Sequence, residues 1–270
     1  MMAKVYDIIS IRLCLEFEPS IKNKNWLKFL GNQFKSVADL KVVLLLRDQN
    51  ICYGVQKYDL CRMEGRVEAI FRVESDIMIV SKNKTTFCIL PLENEYNLQT
   101  FLIQAFYTHA VQRHMIQFHS SLIEHEGRGL MFLGPSGIGK TTQAELWNKY
   151  RDALIINGDI VFVQETEDGF LGWGTPWHGS SPYCENTSVP VKALVMLKQA
   201  PENSIRELTG FEKVTAVSNS VFYPRWLENG MELCLETLDH LLSALPVYEL
   251  SCRPDEEAVR LTEEAVFGRG

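Results

Sequence analysis

With 270 residues, 46% of them hydrophobic and 23% charged, the chain has the composition of a folded globular protein and not of a disordered one. A net charge of −7 and a pI near 5.5 give no general attraction to nucleic acid or anionic membrane, and no Lys/Arg run marks a local basic patch. The seven cysteines are scattered without CxxC spacing, which argues for thiols in a reducing compartment and against a zinc site or redox motif. The start lacks a signal peptide's apolar run, and no stretch approaches the ~20 apolar residues of a membrane helix. The expectation is a soluble, cytoplasmic protein with neither nucleic acid nor membrane as a partner.

Residues 1–96 read as strand-rich. Short apolar runs recur at Tyr6–Leu15, Val42–Arg47, Ile51–Tyr58, Val67–Val73, Ile77–Val80 and Thr86–Leu90, separated by polar or Gly-containing turns as in a meandering antiparallel sheet. Leu27, Leu30 and Phe34 recur at helical spacing and predict a short helix from Trp26 to Phe34. From residue 97 a second region begins. Asn97 to His114 reads as a helix with Leu98, Phe101, Leu102, Ala105 and Phe106 on one face. Strands follow at Ile116–Ile123 and Leu130–Leu133, then a glycine-rich loop at 134–139 and a helix from Lys140 to about Tyr150. Further strands are expected at Ala153–Ile156, Ile160–Gln164, Phe170–Trp173, Val191–Leu197 and Val247–Leu250. Helices are expected at Lys213–Phe222, Met231–Leu245 and Pro254–Val266, the last opened by Pro-Asp-Glu-Glu.

The loop reads Gly134-Pro135-Ser136-Gly137-Ile138-Gly139-Lys140-Thr141, followed by Thr142, between the apolar strand Leu-Met-Phe-Leu and an amphipathic helix. A loop that cradles phosphates needs inward-turned backbone N–H groups with no side chain in the way, and the three glycines supply that freedom. The helix N-terminus adds its amides and dipole. Lys140 brings a positive charge to the β and γ phosphates, the Thr141 hydroxyl is a magnesium ligand, and Thr142 stands within reach of the α phosphate. The implied ligands are Mg²⁺ and ATP, with GTP left open.

The loop lies in mid-chain, directly after a hairpin carrying Phe118-His119-Ser120-Ser121. About 17 residues beyond Thr142 comes Ile156-Asn157-Gly158-Asp159. This order resembles HPr kinase/phosphorylase and its smaller relatives, which share a nucleotide-binding core with phosphoenolpyruvate carboxykinases. Those proteins carry a histidine before the loop, a GxSGxGK[ST] loop, and an acidic pair or Gly-Asp after the next helix. The resemblance covers roughly residues 115–200 and, more loosely, Val247–Leu250 with the terminal helix. Where HPr kinases have Asp-Asp this chain has Gly158-Asp159, and it lacks a clear copy of the family's later signature. The fold implied is α/β (α+β), a P-loop core of the HPr kinase/phosphoenolpyruvate carboxykinase type over residues 97–270. The strand-rich region 1–96 precedes it, with acceptor recruitment as its expected role.

The resemblance assigns Asp159 as base or metal ligand and His119 as its hydrogen-bonding partner. The alternative from residues alone is a turn aspartate in Asn-Gly-Asp for Asp159 and a structural strand histidine for His119. Glu185 is either a further magnesium ligand or a solvated loop residue. The segment 172–181, with two tryptophans among glycines and hydroxyls, reads as an acceptor loop in which His178 and Ser180 touch substrate, or as a loop burying its tryptophans beside the core. Arg225 is either the arginine that meets developing charge or an exposed side chain stacked on Trp226. The expected function is an ATP-dependent kinase that transfers the γ-phosphoryl group to a hydroxyl of a serine-like small molecule, a peptide or a protein serine. The alternatives are a P-loop NTPase and a nucleotide-sensing binding protein. A homo-oligomer is an open expectation, since HPr kinases oligomerise.

Overall fold

Short alternating apolar runs need partners to form sheet, and in the computed structural model they find them in two separate sheets. The structure describes residues 4–9, 11–15, 24–31, 39–44, 67–73, 76–81, 83–89 and 95–268. The chain is mixed α/β and rich in sheet, and it divides into two units. Residues 1–112 with 224–231 form one, and residues 113–223 with 232–270 form the other.

The first unit contains β1 (Lys4–Ile8), β2 (Ile11–Leu15), β3 (Leu40–Leu44), β4 (Val67–Val73), β5 (Asp76–Ser81), β6 (Thr86–Ile89) and helix α1 (Glu95–Ala110). The sheet order is β1-β2-β3-β6-β5-β4, with β2/β3 and β3/β6 parallel and the other pairs antiparallel. The sheet is therefore mixed, not the antiparallel meander expected. The single run expected at Tyr6–Leu15 is a hairpin broken at Ile9, which takes φ 56 without a glycine or asparagine to announce the turn. Lys24–Phe29 forms a 3-10 helix where a short helix was expected from Trp26; the end of that expectation, 32–34, and the expected strand Ile51–Tyr58 lie outside the described residues. Helix α1 lays Leu98, Phe101, Leu102, Ala105 and Phe106 into the core, as its spacing predicts. It ends at Ala110 and passes into a 3-10 turn over Val111–Arg113.

The second unit holds β7 (Met115–His125), β8 (Arg128–Leu133), α2 (Lys140–Arg151), β9 (Leu154–Asn157), β10 (Ile160–Thr166), β11 (Gly169–Trp173), β12 (Ser188–Gln199), β13 (Ser204–Leu208), α3 (Gly210–Ser218), β14 (Val221–Phe222), α4 (Gly230–Ala244, whose first two residues belong to the first unit), β15 (Val247–Cys252) and α5 (Glu256–Phe267). Along the main path the strand order is β11-β10-β7-β8-β12-β15-β13. Strands β8, β12 and β15 run parallel, which aligns their carboxyl ends.

The long strand β7 organises this sheet. Its first half pairs with β10 and β14, its second half with β8 and β9. The β7/β8 hairpin closes on Glu126 and Gly127, both at positive φ (51 and 73), as a tight hairpin turn requires. Strand β8 reads Leu130-Met131-Phe132-Leu133, all fully buried, so both of its faces meet core. Helices α2 and α5 share a core cluster with one side of the sheet, built on Leu130, Phe132, Val195, Leu250, Val259 and Trp147. Trp147 anchors α2 there, edge-on to His125 (5.3 Å) and Phe267 (6.1 Å).

The helix expected at Lys213–Phe222 stops at Ser218, because Val221 and Phe222 pair with Phe118 and Gln117 of β7. Strand β13 was not expected from the pattern. Asp255 caps α5 by accepting from the Ala258 N–H at 3.2 Å, so the helix begins at Glu256, two residues after the expected Pro254. No helix among the described residues is long and apolar enough to cross a membrane.

Candidate functional site

Every group of the candidate site lies within the second unit. The chain leaves β8 at Leu133 and enters α2 at Lys140 through a loop whose three glycines all take positive φ: Gly134 at 137, Gly137 at 79 and Gly139 at 113. A side chain at these positions would be strained, which explains three glycines in six residues. The loop curls around its own lysine. Lys140 is 6% exposed, and its Nζ donates to the carbonyls of Gly134 and Pro135, both at 3.2 Å. Burial pushes the ammonium's pKa below its ordinary value, and the nearby Asp159 carboxylate partly offsets that. Ser121 Oγ on β7 donates to the Lys140 carbonyl at 2.9 Å and ties the helix start to the sheet.

Asp159 sits where one edge of β7 changes partner. Strand β9 ends at Asn157 and β10 begins at Ile160, and both pair with β7, so Gly158 and Asp159 form a break between two strands on a common neighbour. Asn157 holds that break. Fully buried, it accepts from the N–H groups of Asp159 (2.9 Å) and Ile160 (3.0 Å) through Oδ1. Its Nδ2 donates to the carbonyls of Thr175 (3.0 Å) and Trp177 (3.2 Å). The Asn-Gly-Asp turn exists, and it serves to aim the aspartate. Asn157 was not singled out from sequence as a site residue; its signal was the Asx-turn preference of asparagine before glycine.

The break faces His119. The Ser120 N–H donates to the Asp159 carbonyl at 2.9 Å, while the His119 N–H points to the opposite edge and Ser220. The two side chains meet at 3.0 Å, His119 Nε2 to Asp159 Oδ1. Each is roughly a quarter exposed, open enough to meet a ligand. The other Asp159 oxygen lies against Gly179, where a Cβ would come within 2.2 Å of Oδ2. Thr141 Oγ1 donates to the Gly158 carbonyl at 3.2 Å, which joins the break to the first turn of α2.

Together these elements enclose a cavity of about 440 Å³. His119 and Asp159 form one wall. Ser136, Gly137, Gly139, Lys140, Thr141 and Thr142 form the other, and Gly158, Ser180 and Ser181 complete the lining. Pro135 and Ile138 do not line it. The Pro135 carbonyl binds Lys140, and Ile138 packs on the core cluster.

The remaining candidates fall differently. Ser180 is exposed and lines the cavity, whereas His178 is buried, bonds through Nδ1 to the Ser181 carbonyl and does not line it. Of this segment Ser180 and Ser181 line the cavity, while Trp177 is buried and Trp173 half-buried. Glu185 does not line the cavity; its backbone N–H donates to Ile156 at 2.8 Å, and its carbonyl packs against Gly174, where a Cβ would approach within 1.9 Å. Arg225 is exposed and belongs to the first unit, where its neighbour Trp226 packs edge-on to Tyr107 and donates to Thr108 Oγ1 at 3.2 Å. Phe222 of β14 flanks His119, with ring centroids 6.3 Å apart.

Among solved structures the chain resembles the HPr(Ser) kinase/phosphatase from Coxiella burnetii, at 11% identity over 56% of this chain and 87% of that one. The TM-score is 0.32, too low for the likeness to carry a functional conclusion. No curated protein matches the chain. The model of one protein family, described as SynChlorMet cassette protein ScmC, matches residues 92–252, more than half of the sequence and with it the whole loop, Asp159 and His119. The chain belongs to the SynChlorMet cassette protein ScmC family.

Proposed function

We propose that the protein is an ATP-dependent phosphotransferase that passes the γ-phosphoryl group to a hydroxyl of a small molecule or peptide. The observation that carries this reading is the His119–Asp159 pair at 3.0 Å, on the wall of the same cavity as the glycine loop and Lys140. A phosphate-binding loop alone would serve many purposes. A carboxylate and imidazole opposite it supply what a hydroxyl nucleophile needs, a proton acceptor beside the transferring group.

The triphosphate would lie along the loop, with its negative charge met by backbone N–H groups at the α2 N-terminus and by Lys140. Lys140 is held by two carbonyls of its own loop, so phosphate oxygens would replace Gly134 and Pro135 as its partners. The acceptor oxygen would attack the γ phosphorus in line, forming one P–O bond as the bridge to the β phosphate breaks. Asp159 would take the hydroxyl proton, and His119 would fix its carboxylate by the Nε2 bond. Thr141 would hold Mg²⁺, a hard cation that commonly takes one or two protein oxygens and completes its shell with phosphate and water. The ion would supply charge neutralisation between the phosphates.

Asp159→Asn tests the assignment. It preserves shape and the backbone bonds to Asn157 but removes the proton acceptor. Phosphoryl transfer should fall at least about a hundredfold, the lower range for losing a general base, with nucleotide affinity changed far less. A variant that transfers at the wild-type rate would sink the assignment.

A further inference from the structure

A second cavity of about 360 Å³ adjoins the first and shares Gly137, Gly139 and Thr142 with it. Its other walls are the ends of two parallel strands, Leu197 and Gln199 from β12 and Cys252 from β15, with Arg253 at the rim and Ile138 and Gln143 from the loop and helix. Sites at the carboxyl ends of parallel strands are where open α/β sheets receive ligands. The walls are mixed: Ile138, Leu197 and Pro254 are apolar, while Gln143, Gln199 and Arg253 are polar.

Gln143 gives the cavity its chemistry. The residue is 3% exposed, and its Nε2 donates to the Cys252 sulfur at 3.3 Å. Its Oε1 has no hydrogen-bond donor among the described residues. A buried acceptor left without a donor is costly, and a ligand N–H or O–H removes that cost.

We propose that this second cavity receives the nucleoside half of the bound nucleotide, with Gln143 Oε1 accepting a hydrogen bond from its base or sugar. The inference rests on the phosphate-loop reading of residues 134–142. The triphosphate fills the first cavity, and the shared wall at Gly137, Gly139 and Thr142 is where the α phosphate passes to the ribose. Base and sugar then meet Ile138 and Leu197 on their apolar faces. Cys252, beside Gln143, becomes covered whenever a nucleoside is present.

Cys252 supplies the readout. The full chain is treated with N-ethylmaleimide alone, with Mg·ATP or with Mg·tripolyphosphate, and labelling at Cys252 is followed by peptide mapping. Affinity for both ligands is measured by calorimetry. At a ligand concentration ten times its Kd, the nucleotide should slow Cys252 labelling about tenfold, and tripolyphosphate should leave it near the free rate. Ala200→Trp, which narrows the cavity from its β12 end, should weaken ATP about tenfold and leave tripolyphosphate unchanged; Gln143→Leu should weaken ATP by about three- to tenfold, the range for one hydrogen bond. If both ligands bind while Cys252 stays equally reactive, the nucleoside lies elsewhere and this inference alone is overturned. If neither binds, the phosphate-loop reading fails and takes the inference with it.

Discussion

Replacing Asn157 by alanine should separate the architecture of the site from its chemistry. The side chain is fully buried and makes four hydrogen bonds of 2.9–3.2 Å, two to backbone N–H groups of the strand break and two to carbonyls of the 175–177 segment. Alanine leaves those four groups without it. The Trp177 carbonyl keeps a share of the Thr175 hydroxyl proton at 3.0 Å, which also serves the Ile160 carbonyl at 2.8 Å, so three groups lose their partner outright. At about 1 kcal/mol each the cost is about 3 kcal/mol. At about 2–4 °C per kcal/mol for a unit of this size, the melting temperature of the second unit should fall by about 6–12 °C. Asp159 loses the bond that orients its backbone, and a displacement near 1 Å costs about a hundredfold in rate. Differential scanning calorimetry and a phosphotransfer assay on the same preparation measure both effects. Asp159→Asn is the control, because the Asn157 bond goes to the Asp159 backbone and should keep the melting temperature. An Asn157→Ala protein that melts within about 2 °C of wild type would refute the energetic reasoning. One that melts early but transfers phosphate normally would refute the positioning role.

Two further perturbations probe the same cavity. Gly179 has φ 57, and a Cβ there would reach within 2.2 Å of Asp159 Oδ2. Gly179→Ala should therefore displace the carboxylate and depress transfer while the affinity for Mg·tripolyphosphate, measured by calorimetry, stays near wild type; unchanged transfer would show that the segment yields freely. Lys140 is a buried ammonium whose pKa lies below the ordinary 10.5. The unfolded chain thus binds more protons between the lowered value and 10.5, and the folded state gains stability as pH rises through that window. Wild type should gain on Lys140→Met as melting is followed toward pH 10.5, and a difference that stays flat with pH would contradict the burial effect. The same substitution should abolish nucleotide binding.

What could be read from the sequence follows from how local each signal is. The loop, the strand before it and helix α2 are specified within about twenty consecutive residues by glycines, a lysine and an amphipathic repeat. The hairpin with His119 and the Asp159 strand end were legible for the same reason, and their meeting at 3.0 Å follows from the β7/β10 register. Features set by distant partners were not legible. Val221 and Phe222 look like the end of a helix, yet become a strand because β7 offers an open edge there. Strand β13 buries only Leu208 fully and shows little alternation. The cavity beside Gln143 unites a helix residue with Cys252, 109 positions later, which no local pattern reveals. In the first unit, the sheet is mixed because β3 inserts in parallel between β2 and β6, a pairing that alternating apolar residues do not encode.

The most direct measurement incubates the pure protein with Mg²⁺ and γ-labelled ATP, alone and with pools of hydroxyl-bearing metabolites and serine-containing peptides. The His119–Asp159 pair facing the glycine loop predicts label on an acceptor hydroxyl in at least one pool, lost in Asp159→Asn. Label appearing only as free phosphate, or tight nucleotide binding with no turnover in any pool, would contradict the phosphotransferase account.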